Sequence, residues 1–115
     1  MKQIRSILCC LMLRLLFGSP LLSAQEKADA RFEKLVKPFF AQHCTKCHSE
    51  KKHEGDLRLD TLEARFESPK VMGHWEEIMN RINSGDMPPD EEPRPQPELV
   101  SQVADWIIEQ LRRCA

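Results

Sequence analysis

Residues 41–53 read AQHCTKCHSEKKH, which places two cysteines and three histidines within thirteen positions. Cys44, Cys47 and His48 stand at i, i+3 and i+4 in this tract. On one turn of helix those three side chains share a face. Two thiols so placed can add across the two vinyl groups on one porphyrin edge, while the adjacent imidazole reaches the iron beneath the ring. C-x-x-C-H is the attachment signature of a c-type haem, so the tract predicts one covalent haem held by Cys44 and Cys47 with His48 as proximal ligand.

Zinc is the competing reading. A tetrahedral site needs four ligands, and the cysteines would have to be completed by two of His43, His48, His53 and His74. The second half of a usual zinc module is missing, although His48 and His53 have a loose H-x4-H spacing. A redox dithiol would want a βαβ context, and the sequence offers none.

A haem iron bound by His48 has a sixth position. In SGDMPPDEEP, Met87 lies 39 residues downstream of His48, after a glycine and before two prolines. Prolines restrict the backbone and supply no amide donor, so the thioether is expected on a stiff loop. Methionine sulfur is soft, and His/Met is the ligand pair of electron-transferring cytochromes c. Met87 is therefore the expected distal ligand, with an ordinary loop methionine as the alternative. His43, His53 and His74 are read as solvated surface residues. Trp75 and Arg58 are candidate contacts to haem propionates, against core packing for the first and plain exposure for the second.

The chain has 115 residues, enough for one small domain. Its first 24 carry Lys2 and Arg5, then an apolar run from Ile7 to Phe17, Gly18 and Pro20 as helix breakers, and small residues at Ser23 and Ala24. That is the layout of a secretory signal peptide, with an uncleaved membrane anchor as the alternative. Cleavage near Ala24 removes three basic residues and no acid, leaving 14 basic against 18 acidic residues and a net charge of −4. A chain with that balance has no basic nucleic-acid face. The expected setting is a periplasm-like compartment, free or tethered, and the expected partners are basic or membrane-associated redox proteins. Cys114 is left over and is read as an end residue without a role.

Helical spacing recurs along residues 25–115. Phe32, Leu35, Val36, Phe39 and Phe40 form one stripe, which Pro38 should kink or divide into two abutting helices. Gly55 marks a turn, and Leu57 with Leu59 reads as a short extended stretch. Asp60 and Glu63 resemble a capping box opening a short helix that ends before Pro69. Trp75, Ile78, Met79 and Ile82 mark another helix, stopped by Gly85. A Pro-rich loop spans 87–97, and Pro97 opens the last helix, with Leu99, Val103, Trp106, Ile107 and Leu111 on one face. The fold class is all-α, about four to five short helices around one haem.

Together FFAQHCTKCHSEKKHEGDLRLDTLEARF, HWEEIMNRINSGDMPPDEEPRPQPE and VADWI closely resemble the planctomycete-type cytochrome c domain, over roughly residues 31–112. The resemblance implies a small class I-like cytochrome c fold with thioether links at Cys44 and Cys47 and ligands His48 and Met87. It also implies that first and last helices cross beside the haem edge, with Phe39 or Phe40 against Trp106. In that family the module is commonly fused ahead of larger domains, whereas this sequence ends at WIIEQLRRCA. Three functions stay open on these grounds: a one-electron carrier, a five-coordinate haem enzyme or gas/peroxide sensor, and a zinc-stabilised interaction module.

Overall fold

A computed structural model describes residues 20–115. The expected signal peptide lies outside the described residues up to position 19, and positions 20–24 open the first helix. Helix α1 runs Pro20–Arg31, a π-helical turn covers Phe32–Val36, and α2 runs Lys37–His43 without a break. α3 spans Pro69–Ser84 and α4 spans Pro97–Cys114, so the described residues form three helical bodies and no strand.

Pro38 explains the π turn. Its ring crowds the carbonyl four residues back, and it has no amide to complete the ladder. One extra residue is taken up just before it, and the Lys37 amide reaches back five residues to the Phe32 carbonyl. Pro38 itself then sits in the first turn of α2, where its missing donor costs nothing. The expected interruption is thus present, as a widened turn within one continuous helical run.

The short helix expected after Asp60 does not form. Arg58 takes both carboxylate oxygens of Asp60, at 3.1 and 2.8 Å, and the Glu50 amide donates to the same group at 3.3 Å. Glu63 pairs with Arg65. With both carboxylates engaged elsewhere, neither caps a helix. Leu57, Leu59, Leu62, Ala64 and Phe66 instead turn one edge of an irregular, mainly extended segment to the core, with Leu59 and Phe66 buried. This absence, and the fusion of the first two helices, bring the four to five expected helices down to three bodies. The next cap belongs to Ser68, whose hydroxyl accepts from the Val71 amide at 3.2 Å and starts α3 at Pro69.

α4 packs on both α3 and the α1–π run. Val36, Phe39, Phe40, Trp75, Val103, Trp106 and Ile107 are fully buried, each large apolar side chain contributing about 1.5–3 kcal/mol. Trp75 is stacked between Phe40 and Phe66, with ring centroids 5.9 and 5.3 Å away. The first-helix ring against Trp106 is Phe32, at 5.6 Å, where the resemblance implied Phe39 or Phe40. Phe39 and Phe40 lie one to two turns further along, beside His43 and Trp75 respectively.

Candidate functional site

α2 ends at His43 and delivers the chain directly into the Cys/His tract. The Cys44 and Thr45 amides both bond to the Phe40 carbonyl. The Cys47 and His48 amides then both return to the Cys44 carbonyl, at 3.1 and 3.0 Å. The C-x-x-C-H unit is therefore a single closed turn appended to a helix end, not a continuation of the helix. Beyond it, backbone pairing fixes His48 on both sides: it bridges His53, and its carbonyl accepts from the Leu59 amide at 2.9 Å. Gly55 takes a left-handed conformation, φ 67°, to let the chain reverse between those partners.

The second wall comes from the end of α3. Gly85 stops that helix with φ 80°, and the Met87 amide folds back onto the Arg81 carbonyl at 3.2 Å. The Met87–Pro88 peptide is cis. Met87 is a large apolar side chain left 38% exposed, while Pro88 beside it is buried.

Between the two walls lies a cavity of about 620 Å³. Cys44, Cys47, His48 and Met87 all line it. Leu57, Leu59, Ile78, Ile82 and Pro88 give it an apolar surface of the kind a cofactor site offers, while Gln42, Lys46, Glu54, Glu77, Arg81 and Glu92 add polar groups to the lining. His43, read as a surface residue, lines it as well, whereas His53 is exposed and His74 does not border it. Trp75 is wholly buried one turn behind the wall, in the aromatic core. Arg58 also stands off the cavity and forms its ion pair with Asp60.

Charge is handled locally. Burial pushes the Cys44 thiol up to about 12, so it is neutral at physiological pH. A thioether at this position is likewise uncharged, so it is compatible with the same burial. At the rim, Lys46 from the C-x-x-C-H turn pairs with Glu92 of the Pro-rich loop, and that hydrogen bond raises the ammonium above its ordinary range. The described residues hold no cluster of three or more His, Cys, Asp or Glu donors suited to a metal ion.

Residues 44–91 match the family model described as Planctomycete cytochrome C. The matched segment begins on Cys44 and ends four residues beyond Met87, so it includes most of the residues that line the cavity. No curated protein and no solved structure gave a significant match. A cytochrome c holds its haem covalently through C-x-x-C-H, and the residues present fit that group. The cavity is largely apolar and faces the cysteine pair. The buried Nδ1 of His48 has no hydrogen-bond partner among the described residues, as is also true of Trp75 Nε1 and Gln110 Nε2 away from the cavity.

Some of this site was not marked by the sequence pattern. Ile78 and Ile82 fall on a helical stripe that reads as core, and they join the core while also lining the cavity. The Lys46–Glu92 pair spans 46 positions, a separation at which no local pattern exists. Arg94 left one sign: it is the single basic residue in PPDEEPRPQP.

Proposed function

We propose that the chain is an exported monohaem cytochrome c that carries single electrons, with haem attached at Cys44 and Cys47 and ligated by His48 and Met87. The observation that carries this reading is the meeting of Met87 with the C-x-x-C-H turn on one apolar cavity, across 39 residues and from separate helix ends.

The haem supplies the one-electron chemistry when bound. The protein's residues attach, orient and shield. Cys44 and Cys47 fix one edge of the group to a turn that is itself closed by two amide bonds. His48 is held by its backbone on both sides, which limits how far its imidazole can swing. Ile78, Ile82, Leu57 and Leu59 keep water from the cavity floor, and a low local dielectric disfavours the more highly charged oxidised state. A soft sulfur at Met87 acts in the same direction, raising the reduction potential.

Export is supported by the leader-like first 24 residues and a basic redox partner by the net charge of −4 that remains without them. The acidic loop itself adds little to that second point. Glu92 is turned to Lys46 and Asp90 to Arg94.

The test uses expression with and without a c-type haem maturation system, followed by haem-stained denaturing gels and ferric spectra. Covalent haem under maturation and a far-red methionine-to-iron band that disappears in Met87→Ala are expected. No covalent haem would sink the whole reading. A wild type without that band, whose reduced form binds carbon monoxide rapidly, would establish the open-site alternative instead.

A further inference from the structure

The proline-rich segment after Met87 carries its own internal brace. One nitrogen of the Arg94 guanidinium donates to two carbonyls, Gly85 at 2.8 Å and Pro88 at 2.7 Å. Its other terminal nitrogen pairs with Asp90. Gly85 is two residues before Met87 and Pro88 is one after it, so a single side chain ties together both flanks of the methionine. The segment has no helix or strand ladder of its own to do this, since residues 86–96 form no repetitive structure. Five of its positions from 88 to 97 are prolines, which contribute no donors.

From this arrangement we infer that Arg94 is a positioning residue for the Met87 thioether. It sets how much of the time the sulfur stays available to the iron. The inference rests on the reading of Met87 as distal ligand. Two further contacts make Arg94 the decisive brace. The Met87 amide is already anchored to the Arg81 carbonyl, so the flanking carbonyls are what remains to be held. The Lys46–Glu92 pair ties the far part of the same segment to the attachment turn, so the loop is fixed at its outer end as well. Without Arg94 the carbonyls on either side of Met87 lose their shared donor, and the turn that presents the thioether is left with the Met87–Arg81 and Glu92–Pro89 backbone bonds. Arginine suits the task because its planar fork reaches carbonyls and carboxylate together, whereas a lysine ammonium is a compact point charge.

The experiment compares holoprotein of wild type, Arg94→Leu and Arg94→Lys. The ferric far-red band and the rate of carbon monoxide binding to the ferrous form are read beside the melting temperature. Carbon monoxide reaches the iron only when the sulfur has left it. A shift of the sulfur-on equilibrium by about tenfold, equivalent to about 1.4 kcal/mol, raises that rate about tenfold. Arg94→Leu is expected to show this rise and a weakened band at temperatures where its far-ultraviolet circular dichroism is still native. Arg94→Lys is expected to follow the leucine variant, because it keeps the charge and loses the fork. If Arg94→Leu does not accumulate as holoprotein, Arg94→Lys carries the same test. Wild-type band and rate in the variants, or full rescue by lysine, would overturn the role of Arg94 while leaving Met87 as ligand. A wild type with no far-red band would overturn both.

Discussion

The indole nitrogen of Trp106 donates to the backbone carbonyl of Ala28 at 3.2 Å, joining the last helix to the first through a buried bond. Both residues are among the best-buried of the chain, at 0% and 4% exposure. Trp106→Phe removes the donor together with the pyrrole part of the indole, so a small cavity accompanies the lost bond. The unpaired buried carbonyl costs about 1–3 kcal/mol, and the vacated ring volume adds to that loss. Urea unfolding of the holoprotein should show a lower midpoint at an unchanged slope. A variant as stable as wild type would mean that the bond contributes nothing net.

Two glycines should respond to alanine in opposite senses. Gly85 ends α3 at φ 80°, and a Cβ there would meet no atom within 4 Å. Its cost is therefore purely one of backbone conformation, about 1–2 kcal/mol. Gly73 lies inside α3, also with open space around it, and alanine should stabilise the helix there by roughly 0.5–1 kcal/mol. Thermal unfolding of Gly85→Ala and Gly73→Ala should bracket the wild type, and a shift in the same direction for both would contradict the assigned backbone.

Acid should expose the contribution of the Arg58–Asp60 pair. Hydrogen bonding from Arg58 holds the Asp60 carboxyl below its ordinary value of 3.8. A carboxylate with a lowered folded-state pKa stabilises the fold above 3.8, and that stabilisation is lost as pH falls through the lowered value. Asp60→Asn should therefore be less stable than wild type at pH 7, with the gap closing in strong acid. Denaturant titrations of both proteins across that range would show it. A gap that persists at the acid end would place the effect in packing rather than charge.

The same Asp60 shows where the sequence could mislead. Asp60 and Glu63 have the spacing of a helix cap, and nothing local shows that Arg58, two residues earlier, captures the first carboxylate. The near-alternation of Leu57, Leu59, Leu62, Ala64 and Phe66 was the better signal, because an irregular segment bound to a core needs no regular period. By contrast Pro38, Gly85 and Pro97 act through covalent geometry, and each punctuates a helix where the sequence placed the interruption. The cavity was legible at Cys44, Cys47, His48 and Met87, whose chemistry is distinctive. Its floor and its brace depend on contacts between distant segments, which carry no local mark.

Both tryptophans of the chain lie in the aromatic block, fully buried, and neither borders the cavity. Indole emission therefore originates beside the pocket rather than within it. A chromophore seated there would drain that emission by energy transfer, whereas loosening of the block would shift its colour. Intensity and wavelength thus give two separate optical channels from one native signal, one for loading of the pocket and one for assembly of the helices.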